Sequence, residues 1–355
     1  MEAQTQSSPA QKSTGLKKMW TDFCTDLQSD DSRTNRHGFK VLYLKEFADI
    51  LSSKRFWVMF FLFLLIGIVS VRGAISTIGQ ASQQAQQQGA SLTDYLFLTL
   101  FTTSGSSIYS FSTFVGFLGP IFGIMLGFDA INNEAAQGTL NRLAAQPIYR
   151  DTIINAKFLA GATAVFAAVF AVGLWVTGLG LLISGIEPQP EEFVRIVVFL
   201  LVSVIYICVW LAISILFSTI SRHAATSALA CIALWLFLTM FLSLFATGLA
   251  GLLFPVNSQS ATISTALGYY NLQVGISRIS PYYLFSEVTQ VLMNPNVHSL
   301  DIMSTLASQD SQVASYLPIG QSLLQIWPQI VAMFAEMVAG FAIAYICFMK
   351  KEIRA

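Results

Sequence analysis

Apolar residues run in six long blocks, at roughly 56–78, 108–128, 157–184, 193–220, 224–254 and 326–349. The hydrocarbon core of a bilayer is about 30 Å thick, and about 20 residues of helix cross it. Backbone polar groups inside that core must be satisfied within the segment, so each block predicts a membrane-spanning helix. Residues 39–53 are patterned differently. At about 100° per residue, Lys45, Glu46, Asp49, Ser52 and Ser53 share one arc, and Phe39, Tyr43, Leu44, Phe47, Ile50 and Leu51 take the opposite one. That pattern predicts a helix lying in the membrane interface, with Lys54 and Arg55 among the headgroups. The polar intervals complete the outline. Residues 1–38 predict a tail, disordered over the first 15, with a short amphipathic helix at 16–27. Residues 79–107 predict a polar linker, and 185–192 a turn with Pro188 and Pro190. Residues 255–325 hold no run long enough to span. Pro281 opens one helix there, at 281–293, and Asn294-Pro295 closes it. A second is expected at 299–314, the two forming a small cap on the membrane.

Composition agrees with this class. The 355 residues are 54% hydrophobic and 11% charged, against about 25% charged in soluble domains. Net charge is zero, so bulk attraction to nucleic acid is not expected. Every Lys and Arg except Arg72, Arg195 and Arg278 falls on the side that also holds the N-terminus. The positive-inside rule then places both termini in the cytoplasm of a multi-pass plasma-membrane protein. It puts residues 129–157 inside and 255–325 outside. The first 38 residues are polar and carry no apolar signal core. Cys24, Cys208, Cys231 and Cys347 have no ligand-like spacing, so neither a disulfide frame nor a metal site is indicated.

The interval between the second and third blocks carries the most information. Residues 129–157 hold three positive and three negative side chains in a chain otherwise sparing with charge. Asp129 and Glu134 come first, then Gly138 and Thr139. Thr139 is placed to cap a short helix over 140–146, and Pro147 stops it. Leu140, Leu143 and Ala144 fall on one face of that helix, with Arg142 beside them. Arg150 and Asp151 open the next helix, and Lys157 follows. The segment reads either as a docking element held at the membrane surface or as an ordinary polar loop.

Catalytic groups are not evident. The chain has no Walker-type glycine loop, Gly-x-Ser-x-Gly elbow or His-Glu-x-x-His helix, and His37, His223 and His298 fall in unrelated segments. We therefore read it as non-enzymatic. Glu336 is the one acid deep in a block, where a charge costs about 2.5–3.5 kcal/mol on the insertion scale. It reads as a polar point in a transport path, a proton site, or an interhelical hydrogen bond. Phe237, Phe241 and Phe245 form a stripe that either lines a path for a lipid-like substrate or packs against helices and lipid. Gly119, Gly123 and Gly127 make a smooth stripe for a close helix approach, with Pro120 kinking it. That stripe serves either packing within the chain or a path near a second copy. Glu191 and Arg195 are spaced to pair on a helix face, and a solvated pair is expected.

The run Asp129-Ala-Ile, Glu134, Gly138-Thr139-Leu140, Pro147, Arg150 and Lys157-Phe-Leu-Ala-Gly resembles the cytoplasmic signature of ABC type-2 permeases, in particular the NosY-like group. The order of elements over residues 39–352 also resembles that family. The resemblance implies an all-α membrane protein. Residues 39–55 would be an interfacial connecting helix and 56–350 a six-helix transmembrane domain. A cytoplasmic coupling helix would lie within 129–157, and an external helical insertion at 255–325 would precede the last helix. Residues 351–355 would end in the cytoplasm. It further implies an exporter in which two permeases, identical or homologous, pair with two ATPase subunits that carry ATP and Mg²⁺. The helix after Gly138 would rest in a groove of the ATPase. Asp129 and Glu134 would brace the end of the second crossing, and Arg150 and Lys157 would anchor the third. The second and fifth crossings would line the path. The long tail and the large insertion depart from the simpler NosY-like pattern, so the substrate does not carry over. A lipid, a hydrophobic peptide or a drug fits the lining. The alternative is an ion-coupled carrier or membrane scaffold with Glu336 as proton site. Carriers usually show internal repeats, and none is visible here.

Overall fold

The computed structural model describes residues 35–87, 96–103, 109–139, 149–184, 189–255, 263–294 and 317–351. Regular structure among them is helical throughout: α1 (Asn35–Ser52), α2 (Lys54–Gln87), α3 (Leu96–Thr102), α4 (Phe111–Gly127), α5 (Asn132–Ala136), α6 (Arg150–Ser184), α7 (Pro190–Ile220), α8 (Ala224–Leu236), α9 (Leu242–Leu253), α10 (Ile263–Ser277), α11 (Pro281–Met293) and α12 (Ile319–Lys350). A π-turn, Phe237–Phe241, joins α8 to α9 without breaking the rod. Six rods are long and apolar enough to cross a membrane. The all-α, six-crossing expectation therefore holds, and the chain is a multi-pass membrane protein.

Helix ends follow capping chemistry more closely than hydropathy. The Ser110 hydroxyl accepts from the Thr113 amide at 3.4 Å and opens α4. Pro190 takes the first position of α7, where its missing N–H costs nothing, and the Glu192 carboxylate accepts from the Gln189 amide at 2.7 Å. The third rod begins at Arg150, ahead of its apolar block. The interval 79–107, expected as a linker, is helical through Gln87 and again in α3, because alanine and glutamine sustain a helix without an apolar stripe. Phe97, Leu98, Leu100 and Phe101 of α3 are buried, although the helix is too short to cross.

The bundle is built around α7, the most apolar rod, with mean hydropathy 3.0. Its buried face meets α4, α6, α11 and α12. Contact with α4 runs along the glycine stripe. A Cβ at Gly123 would stand 2.5 Å from the Ile207 carbonyl oxygen, and one at Gly119 would stand 3.0 Å from the Ile207 side chain. Tyr206 donates its hydroxyl to the Gly116 carbonyl at 2.7 Å.

Of the segment before the last crossing, α10 and α11 are described, and both pack along neighbouring helices. α10 pairs with α9, where Gln273 donates to the Thr247 hydroxyl at 3.1 Å, and α11 returns through the bundle. Leu284, Phe285, Val288, Val291 and Leu292 are buried, and Phe285 stacks on Tyr206 with ring centroids 4.5 Å apart. These residues share one arc of an amphipathic helix, and that arc has to be covered. The second helix expected in this interval, at 299–314, lies outside the described residues. The Glu191–Arg195 pair is also not solvated. The Arg195 side chain is 0% exposed. It donates to Glu191 at 2.9 Å, to the Leu292 carbonyl at 2.9 Å and to Ser322 at 3.2 Å, tying the start of α7 to the end of α11 and the start of α12.

Candidate functional site

The site lies where α1, the α4–α5 turn and the first turns of α6 converge. A long, mostly apolar rod has to admit Lys157 two turns after its start, and a buried ammonium needs acceptors. It has two. Nζ donates to Glu134 Oε1 at 2.7 Å and to Glu46 Oε2 at 2.9 Å, and the Lys157 side chain is 5% exposed. Lys45 continues the chain of charge, 3.0 Å from Glu46, 3.2 Å from Asp49 and 3.8 Å from Glu134. Three elements are thus joined by alternating charges at the edge of the apolar bundle. Charge-assisted hydrogen bonds of this kind are the stronger class.

Electrostatics agree with the geometry. Burial alone pushes the Glu46 carboxyl up, but the Lys157 and Lys45 ammonium groups outweigh it and hold the carboxyl below its ordinary 4.5. Burial pulls Lys45 down, while Glu46 and then Asp49 raise it above its ordinary value.

The flanks are fastened as well. Arg55 donates to Asp129 at 2.6 Å and lies over the Phe128 ring. The Ser218 hydroxyl at the end of α7 accepts from the Ile131 and Asn132 amides at 2.9 and 3.2 Å, fixing the turn into α5. Arg150 donates to the Lys351 carbonyl at 2.6 Å and lies over Phe348, and Lys351 donates to the Thr219 carbonyl at 2.8 Å. Beneath these ties lies an apolar cluster that includes Leu42, Ile131, Ile153, Ile154, Ile215 and Phe348. The arrangement has the character of a mechanical joint: polar ties at the rim over a packed apolar floor.

Beyond Glu134 the chain turns outward. Gly138 adopts φ 70, a conformation that ends helices and favours glycine. The Thr139 hydroxyl donates back to the Glu134 carbonyl at 3.2 Å. Leu140, Arg142, Leu143 and Pro147 lie outside the described residues. The other expected positions are spread through the bundle. Gly119 and Gly123 are closed over by α7. Phe237, Phe241 and Phe245 are 49%, 58% and 60% exposed on the least covered rod. Glu336 sits midway along α12, with one carboxylate oxygen shut off from solvent and unpartnered among the described residues. Nearby on the same helix, Gly340 packs on Ala212 and Ile213 of α7.

Of the residues singled out in the sequence, the fold brings Glu134 and Lys157 into contact and gives Asp129 and Arg150 separate partners. The sequence reading missed Arg55, Ser218 and Lys351 and did not connect Lys45 and Glu46 to the site. One signal was available: a lysine just inside an apolar run demands a carboxylate, and Glu46 is on the polar arc of the helix next door.

Residues 41–353 match the model of a family described as ABC-2 family transporter protein. The chain is similar to the probable ABC transporter permease protein NosY of Pseudomonas aeruginosa, 26% identical over 147 residues, which is 41% of this chain and 52% of that protein. It is also similar to the probable ABC transporter permease protein NosY of Stutzerimonas stutzeri, 32% identical over 88 residues, 24% of this chain and 32% of that protein. The matched stretches thus span about half of one curated relative and about a third of the other.

Proposed function

The chain belongs to the ABC-2 family of transporter proteins, and from that premise we propose that it is the membrane permease of an ATP-binding cassette exporter, driven by a separate ATPase subunit. The working unit has two permeases, this chain with a second copy or a homologue, and two ATPases that hold ATP and Mg²⁺. The joint faces the cytoplasm with both termini, as the distribution of Lys and Arg favours. The interval opened by Gly138 rests on the ATPase through Leu140, Arg142 and Leu143.

One observation carries this reading: Lys157 holds Glu134 and Glu46 together, at 2.7 and 2.9 Å. The strand of chain entering the docking segment is thereby tied to both α1 and α6. A push on residues 140–147 moves the interfacial helix and the third crossing as one body instead of bending a loop. Substrate passes along the exposed face of the fifth crossing, past Phe237, Phe241 and Phe245, between this permease and its partner. That apolar wall favours a lipid, a hydrophobic peptide or a drug, and Glu336 supplies a polar point at mid-depth.

The test is coupling. Glu134→Ala and Arg150→Ala, co-expressed with the ATPase, are expected to insert normally and to hydrolyse ATP with little transport. Unchanged transport per ATP in both variants overturns the assignment.

A further inference from the structure

The turn between α10 and α11 places charge at a depth where lipid tails are found. α7 is about 46 Å long at 1.5 Å per residue. Its stretch 196–220 has no charged residue, and Tyr206 lies near the middle of it. Because Phe285 stacks on Tyr206, the first turns of α11 reach well into the bundle. On α12, Gln329 lies about 15 Å in from Ile319, and its amide donates to Glu287 at 3.3 Å. Glu287 in turn accepts from Arg278 Nε at 3.0 Å and Nη2 at 3.1 Å.

This ion pair is lopsided. Glu287 is 7% exposed in its side chain and Arg278 41%. One edge of the guanidinium is committed to Glu287, while Nη1 has no partner among the described residues. Ser280 Oγ and Gln329 Oε1 are buried without partners beside the same turn. Around it the surface is apolar: Ile279 is 59% exposed, and the half-exposed Phe237–Phe241 turn packs against α11. A guanidinium edge is costly to leave to hydrocarbon without an acceptor. Arginine's fixed fork suits a second oxyanion on its free edge.

We propose that the α10–α11 turn binds the phosphate or carboxylate head of an amphiphile from the membrane half into which the hairpin dips. Arg278 Nη1 takes the head group, Glu287 and Gln329 hold the guanidinium in register, and the tails lie along the exposed Phe237–Phe241 flank. The turn is then a head-group station on the permease's path. That meaning rests on the function proposed above, but the binding does not.

The test needs neither ATPase nor ATP. The full chain is purified in a neutral maltoside detergent and offered phosphatidylglycerol or the phosphate-free digalactosyldiacylglycerol, and retained lipid is counted by native mass spectrometry. Wild type is expected to retain phosphatidylglycerol in preference. Arg278→Gln should weaken that retention about tenfold or more, and Arg278→Lys should weaken it less. Equal affinity for the two lipids in wild type, or equal retention by wild type and Arg278→Gln, overturns the site. Displacement by soluble glycerol phosphate at equal concentration would make it a site for a free anion and overturn the amphiphile. Failure here leaves the permease assignment standing, because that is judged by coupling to ATP.

Discussion

Replacing Lys157 with methionine keeps the length of the side chain and removes the buried cation that bridges Glu46 and Glu134 at 2.9 and 2.7 Å. Losing one member of a buried pair costs about 3–5 kcal/mol, because a charge is left uncompensated. Here the two carboxylates are 11% and 19% exposed in their side chains, and Lys45 remains 3.0 and 3.8 Å away. The expected loss is therefore smaller, about 2–3 kcal/mol. The pH dependence has a definite sign. In wild type the Glu46 carboxyl is held below 4.5, so its contribution is complete above the ordinary carboxylate range and drains away as pH falls through the lowered value. Without Lys157 the stronger of the two influences that hold the Glu46 carboxyl down against burial is gone, and Glu46 takes up its proton at higher pH than in wild type. The deficit against wild type should shrink as pH falls from neutrality toward the ordinary carboxylate range. The assay is thermal unfolding in detergent at fixed scan rate, followed by tryptophan fluorescence, with the apparent midpoint as readout. Lys157→Met should melt several degrees lower at neutral pH, and adding Glu46→Gln and Glu134→Gln should recover much of the loss. A variant that melts with the wild-type midpoint and pH response would show that the joint is held by its apolar floor and not by its charges.

Two further substitutions, with a third as control, probe the frame that positions the joint. Arg195→Met removes the buried cation that donates to Glu191 and to the Leu292 carbonyl, and should lower stability by about 3–5 kcal/mol, read as a sharp fall in monodisperse protein on size-exclusion chromatography. Gly123→Ala forces a methyl against the Ile207 carbonyl. It should cost about 1–3 kcal/mol, whereas alanine at Gly178, where nothing lies within 4 Å, should be tolerated in the same melting assay.

Tertiary context corrected the sequence reading in particular places. Hydropathy located all six crossings because length and apolarity are properties of each segment alone. It misjudged α3, which is apolar enough to be enclosed but too short to span, whereas the helix at 281–293 has the bounds its proline and Asn294-Pro295 set. Arg195 looked like a solvated partner of Glu191 because i,i+4 spacing carries no information about burial. The glycine stripe left packing and path both open until α7 was seen to close over it.

The amino-acid pattern by itself determined the all-helical membrane class, the number of crossings and the polar segment on which the family resemblance rests, since each depends on residues close together in the chain. Only the fold could show that Lys157 grips Glu46, 111 positions away, as well as Glu134, that Arg55 meets Asp129, and that Ser218 anchors the turn into α5. Such partners are chosen by which helices pack side by side, and that choice belongs to the shape of the whole bundle.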